Sequence, residues 1–307
     1  MSVTHDPFAP LRTPARPGPG PLRLTSLRAL ELSVGRRVDG LLAGDYKSPF
    51  AGVGSELWQV RPYQPGDDVR RIEWNVTART GEPHVRVELA ERVLVTWLVL
   101  DATASMAFGT ADRRKADVAE GVAVAVGYAA TRRGNRLGTI AFGEEASVER
   151  PRQGRIALLD TLRLLRELPA DGAGSVGGAL ELTDKVARQR ALVVVVSDFR
   201  GPLDWHAPLL RLAGRHSVLA VEIRDPREQE LADVGELRLV DPETGRQLRV
   251  DTGDRELRAR FATAATDERR RLGVLLANAG VRHLVLSTEG DWLRPLAAFL
   301  RRRGRHR

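Results

Sequence analysis

Four side chains carry the chemistry most readily read from this sequence: Asp101, Thr103 and Ser105, spaced two apart in DATAS, and Asp198 in a later Ser-Asp pair. Carboxylate and hydroxyl oxygens are hard donors, suited to Mg²⁺ or Mn²⁺. Alternate spacing lets one tight loop aim Asp101, Thr103 and Ser105 at a single point. Two aspartates do not saturate such an ion, so positions stay open for water or for a carboxylate brought by a partner. A third segment, Gly172-Ala173-Gly174-Ser175, precedes a helical stretch and adds the Ser175 hydroxyl. Without a metal, Asp101 would cap the turn that follows it and Ser105 would begin a helix. Placement therefore has to decide between the two readings.

The elements that would position these groups are regular from Val93 onward. VLVTWLVL is a continuous apolar run ending at Asp101, as expected of a strand buried on both faces. Arg113–Arg132 repeats apolar residues with helical period. RLGTIAF (136–142) reads as a strand, 156–168 and 176–189 as helices, and ALVVVVSD and HSVLAVEI as further strands. ELRLVDPETGRQLRV reads as a hairpin turning at Asp241-Pro242-Glu243-Thr244-Gly245. A long helix over 255–279, the strand RHLVLST and a closing helix over 292–302 follow. Strands alternating with helices predict an open α/β fold, a mostly parallel sheet covered on both faces, over residues 93–303. Ligand sites in such sheets lie at the carboxyl ends of the strands, where Asp101 and Asp198 fall.

Upstream, 22–92 is turn-rich and expected to be a β-rich elaboration. It contains GVGSELWQVRPYQPGDDVRRIEWNVTARTGEPHV (52–85). This stretch resembles the signature of the domain of unknown function 58 family: a G-x-G-x-E-F stretch, then R-x-Y-x-P-G-D-D-x-R-x-I-D-W and a following A-R. The matching residues are Gly52, Gly54, Glu56, Arg61, Tyr63, Pro65, Gly66, Asp67, Asp68, Arg70, Ile72, Trp74, Ala78 and Arg79, with Leu57 in place of Phe and Glu73 in place of Asp. The D-x-[ST]-x-S motif with its late aspartate is similar to the metal-ion-dependent adhesion site (MIDAS) of von Willebrand factor type A domains. That resemblance implies a von Willebrand A-like fold with Mg²⁺ or Mn²⁺ held by Asp101, Thr103, Ser105 and Asp198. Alignment on Ala179-Leu180 puts Gly174 where the family has a threonine, so Ser175 is the nearest hydroxyl and stands in for it. The family resemblance further implies a non-catalytic, chaperone-like role beside a MoxR-type AAA+ ATPase, in assembly or maturation of other protein complexes. Arg61, Tyr63, Asp67, Asp68, Arg70 and Trp74 are candidates for partner contact. Asp67 and Asp68 have a plainer role too, fixing a turn and pairing with Arg61, Arg70 or Arg71.

The ends of the chain suggest a rival. Net charge is +8, with three lysines against forty-five arginines, and five of those arginines crowd into RRRGRHR at 301–307. A basic tail can bind nucleic acid; here the bias toward arginine reads as genomic base composition, and 304–307 as a solvated tail. Residues 1–21, with six prolines, read as a disordered arm. A metal-dependent hydrolase is a second alternative, disfavoured because no general base accompanies the metal motif. The six histidines lack zinc spacing, and no cysteine exists to make a disulfide or thiolate site. Gly172–Gly177 satisfies G-x-G-x-x-G but follows a helix rather than a strand, which excludes the dinucleotide fingerprint. No apolar run reaches the ~20 residues of a membrane-spanning helix, and no secretory signal pattern opens the chain, so the expected location is the cytoplasm.

Overall fold

A computed structural model describes residues 58–88, 94–131, 134–168 and 174–301. The proline-rich arm, Gly52, Gly54 and Glu56 of the signature, Gly172-Ala173 and the basic tail lie outside the described residues. The chain divides into two compact units, 51–93 and a larger one that takes in everything from Leu94 on.

In the smaller unit, β1 (Trp58–Pro62) pairs antiparallel with β2 (His84–Glu88), Arg61 facing Val85. Between them lie a 3-10 turn, Val69–Arg71, and helix α1 (Trp74–Thr80). Helix α1 stops at Gly81, whose φ of 77° is left-handed and therefore suits a residue without Cβ.

The larger unit is the open α/β sheet that the alternating pattern predicts. In chain order it contains β3 (Val95–Asp101), α2 (Lys115–Thr131), β4 (Arg136–Phe142), β5 (Ala146–Gln153), α3 (Gly154–Glu167), α4 (Val176–Val186) and β6 (Ala191–Ser197). Then come α5 (His206–Arg215), β7 (Ser217–Arg224), the hairpin β8 (Glu236–Val240) and β9 (Gln247–Asp251), α6 (Arg255–Asn278), β10 (Arg282–Ser287) and α7 (Leu293–Arg301). Six strands form one sheet in the order β10-β7-β6-β3-β4-β5, parallel except for the edge strand β5. The chain begins this sheet in its middle at β3, builds outward through β4 and β5, and then returns to the other side of β3 with β6. That reversal makes the β3–β6 border the topological switch point, where the helices diverge and leave a crevice.

Successive side chains of a strand face opposite ways, so an all-apolar strand feeds two cores. Leu98 and Leu100 join Val122, Val126, Leu158, Leu162 and Leu296 beneath α2, α3 and α7. Trp97 and Val99 join Leu180, Trp205, Leu209 and Leu276 beneath α4, α5 and α6. The open, mostly parallel sheet with helices on both faces that the sequence leads one to expect is the one observed. Two elements of the larger unit were not foreseen, nor was helix α1 in the smaller one. Strand β5 carries Pro151, which an edge strand tolerates because one side makes no ladder bonds. Helix α5 is short and carries Pro208 near its start, where the ring costs no hydrogen bond. Among the described residues no helix is long and apolar enough to cross a membrane.

Candidate functional site

Strand β3 ends at Asp101 and its neighbour β6 at Ser197, and the two ends are tied together. Asp101 Oδ2 accepts the Ser197 hydroxyl at 2.6 Å. Its other oxygen accepts both the Thr103 backbone N–H at 2.9 Å and the Thr103 hydroxyl at 2.7 Å. Thr103 opens a 3-10 turn, Ala104–Ala107, which brings Ser105 Oγ to 3.0 Å from Thr103 Oγ1. All of these residues are buried. The alternate spacing thus does what the sequence suggests: one turn gathers Asp101, Thr103 and Ser105.

Asp198 enters the same group from β6. Its Oδ1 accepts the Arg200 N–H at 3.0 Å, and the Ser105 hydroxyl reaches it from the β3 side. The next residue, Phe199, has a φ of 53°, a left-handed backbone rarely adopted by a bulky side chain. Ser197 Oγ accepts its N–H at 2.9 Å, and its ring meets Trp205 edge-on with centroids 5.7 Å apart. These contacts hold a conformation that costs roughly 1–3 kcal/mol, the kind of local strain found at functional turns.

Sequence reasoning missed the cation built into this site. Lys115, the first residue of α2, is fully buried and puts Nζ 2.5 Å from Asp198 Oδ2 and 2.7 Å from Glu228 Oε1. Glu228 is held in turn by the Asp225 N–H, as part of a capping box at 225–228. The only sequence signal was rarity, since Lys115 is one of three lysines in an arginine-rich chain. Glu243, at the tip of the β8–β9 hairpin, was missed as well. Half-buried, it feels the charges of Asp198 and Lys115.

The electrostatics follow from this crowding. Burial, reinforced by the Asp198 charge, pushes the Asp101 carboxyl up to about 6 against the bonds from Ser197 and Thr103. Burial would raise Asp198 too, but the Lys115 ammonium and its hydrogen bond, with Arg200 and Ser105, hold it below the ordinary carboxylate value. Burial, then Asp198 and Asp241, pushes Glu243 up, opposed by Lys115 and Ser105. Oxygen acceptors outnumber protons. The Ser197 and Thr103 protons both go to Asp101, and the Ser105 hydroxyl lies 3.0 Å from Thr103 Oγ1, so the two carboxylates keep lone pairs beyond those that the hydroxyls and Lys115 fill. A hard cation would relieve such a surplus, so the donor set fits Mg²⁺ or Mn²⁺ in chemistry. Among the described residues, however, no three His, Asp or Glu side chains converge to hold a metal by themselves, so the hydroxyls would have to share the coordination.

Ser175 is not in this group. It caps α4, accepting the Gly178 N–H at 2.8 Å, and bonds to Asp204 at 2.5 Å. Gly174, where the family has threonine, runs too close for a side chain: a Cβ there would lie 2.4 Å from the Gly143 carbonyl oxygen and 2.9 Å from Thr103 Cγ2. In the smaller unit, Arg61 grips Asp67 through two bonds of 2.6 and 2.7 Å, and Asp67 also accepts the Gln64 N–H. Asp68 caps the 3-10 turn by accepting the Arg70 N–H at 3.0 Å. Of the other candidates for partner contact, Tyr63 is half-buried and Trp74 is 69% exposed, so Trp74 is no core residue.

Comparison with known proteins sets this geometry in a family. An uncharacterized protein of Mycobacterium bovis is 41% identical over 292 residues, covering 92% of this chain and 91% of its own length. An uncharacterized protein of Mycobacterium tuberculosis H37Rv matches to the same extent. Among solved structures, the conserved hypothetical protein BatB of Bacteroides thetaiotaomicron is 11% identical, covering 67% of this chain and 97% of that one with a TM-score of 0.43. The SpRpn10 VWA domain is 13% identical, covering 67% and 94%, with a TM-score of 0.37. The model of the family described as protein of unknown function DUF58 matches residues 59–271, more than half of the sequence, and the chain belongs to that family.

Proposed function

We propose that the strand-end site binds a divalent cation, Mg²⁺ or Mn²⁺, and through it an acidic side chain of another protein, so that the chain works as a non-catalytic interaction module. The observation that carries this reading is the acceptor surplus at the switch point, where the carboxylates of Asp101 and Asp198 and three hydroxyls face one ammonium. Asp101, Thr103, Ser105 and Asp198 would hold the ion, directly or through water. When bound, the ion supplies the positive charge that captures a carboxylate. Ser197 orients Asp101, Phe199 turns the chain so that Asp198 faces the site, and Lys115 offsets part of the negative charge and keeps metal affinity modest. These side chains are engaged with one another, which supports binding rather than turnover.

Family resemblance supports a MoxR-type AAA+ ATPase as the partner, acting with this chain in the cytoplasm on a client complex. The test is thermal unfolding with millimolar Mg²⁺ or Mn²⁺. The wild type gains a few degrees while Asp101→Ala gains nothing, since only a folded site binds the ion. Equal responses in the two proteins, or none in either, would overturn the metal reading. Capture of a purified MoxR-type ATPase that needs both the metal and Asp101 tests the partner.

A further inference from the structure

The end of the sheet opposite Asp101 has a concave surface of its own. Between the end of α4 and the edge strand β5 lies a hollow of about 410 Å³, which runs on into another of about 310 Å³ across Trp97, Arg150 and Pro151. Ligand sites occupy roughly 300–1,000 Å³. The floor is apolar. Trp97 of β3 and Pro151 of β5 both lean over Gly138 of β4, which pairs with Trp97. A Cβ at Gly138 would stand 2.9 Å from each of the two rings, so the bare glycine lets the floor close. Val186, the last residue of α4, borders both hollows.

The rim is basic. Arg136 comes from β4, Arg150 from β5, Lys185 from the last turn of α4, and Arg188 from just beyond it. All four are exposed. Among the described residues none of their side chains makes a hydrogen bond or ion pair, and no carboxylate lines either hollow. A cation near the end of a helix complements its dipole, and a charge on an edge strand discourages pairing with another sheet. Those roles account for Lys185 and Arg150 singly. They do not account for four unpaired cations around one apolar floor.

We propose that this hollow is a second protein-docking site, which takes an acidic segment of a partner: an apolar side chain rests on the Trp97–Pro151 floor and the carboxylates around it meet the four cations. Charge is wanted on several sides of the apolar group, which a peptide supplies and a single fatty acid does not. Val95 lines the hollow and Asp101 ends the same strand, about 20 Å away at about 3.3 Å per residue. One chain can therefore hold a protein at each end of its sheet. Docking in the hollow needs no metal and stands apart from the strand-end reading.

The probe is a fluorescent octapeptide of aspartates and glutamates around a central Leu-Phe pair, titrated with the full chain in EDTA and followed by anisotropy. The wild type should bind it, and the affinity should fall as salt is raised. Reversing Arg150 and Arg188 together, Arg150→Glu with Arg188→Glu, should weaken binding about tenfold or more. The same reversal of two exposed arginines on α6, Arg260→Glu with Arg270→Glu, should not. Glycines in place of Leu-Phe should cost about tenfold as well. Asp101→Ala should bind as the wild type does. Binding that requires Mg²⁺ and Asp101 would put the peptide at the strand-end site and overturn the proposal. Equal losses from the two arginine reversals would show a general attraction to positive charge and overturn it too. So would a wild type that ignores the peptide and instead binds phosphatidylglycerol vesicles or poly-uridylate through Arg150 and Arg188.

Discussion

Two pairs of aspartates in this molecule carry the same groups and behave oppositely as structure. Asp67 sits half-buried in a turn with partners that favour its charge, and exposed Asp68 caps the 3-10 turn that follows. Arg61 and the Gln64 N–H hold the Asp67 carboxyl below its ordinary value. Asp101 and Asp198 are buried within one network with a single ammonium against them, and burial raises Asp101 to about 6. The first pair stabilises a local conformation. The second is kept charged and crowded at a cost, a pattern that marks binding sites more often than scaffolding. An aspartate in a sequence therefore says little until its desolvation and its counter-charges are known.

Removing the counter-charge should break the comparison most strongly. Lys115→Met leaves Asp198 and Glu228 buried without their ammonium, and loss of one partner of a buried ion pair costs about 3–5 kcal/mol. Urea unfolding should show that loss at neutral pH, with the dependence on urea unchanged.

Removing the charge of Asp101 should act in the other direction. Its folded carboxyl binds a proton more tightly than the unfolded one, so its contribution to stability is most favourable below the ordinary value near 3.8. That advantage is lost as pH rises toward about 6 and stays lost above it. Asp101→Asn should therefore unfold like the wild type near pH 3 and be more stable above pH 7, by up to about 3 kcal/mol in the absence of metal. Asp198, held low, produces the opposite slope only in more acidic solution. A wild-type stability that rises from pH 5 to 7 would show that Asp101 is not desolvated as described.

How much of this was legible follows from the kind of signal each feature leaves. The sheet announced itself because strands buried on two faces read as unbroken apolar runs. Asp101 and Asp198 were legible because they end such runs. Strand β5 and helix α5 were lost because proline interrupts a local pattern without forbidding the element. Lys115 left no local pattern, since it reaches the site through tertiary placement from a helix start. Rarity did point to Lys115: a compact ammonium fits between two buried carboxylates where the planar fork of arginine needs more room. The proximity of Ser175 in sequence misled because capping a helix and lining a site both call for a hydroxyl before a helix.

Restoring the family threonine should sharpen the point about Gly174. Gly174→Thr places a Cβ against the Gly143 carbonyl oxygen, and overpacking of this kind costs about 1–3 kcal/mol. The variant should be less stable than the wild type and gain no response to Mg²⁺. A stronger metal shift would mean that the loop moves aside and that the hydroxyl alone was lacking.

The smallest effect belongs to the other aspartate pair. Asp67→Asn keeps an acceptor for the Gln64 N–H and one bond from Arg61 but loses the paired charges, which lie near solvent and are screened by it. Its unfolding midpoint should shift less than that of any variant above, and the shift should shrink further in high salt. Its response to Mg²⁺ should equal that of the wild type, because its bonds, from Arg61 and the Gln64 N–H, are local to its own turn. A metal response that fell with Asp67→Asn would mean that the turn-building pair communicates with the buried one, and the division of labour between the two pairs would have to be redrawn.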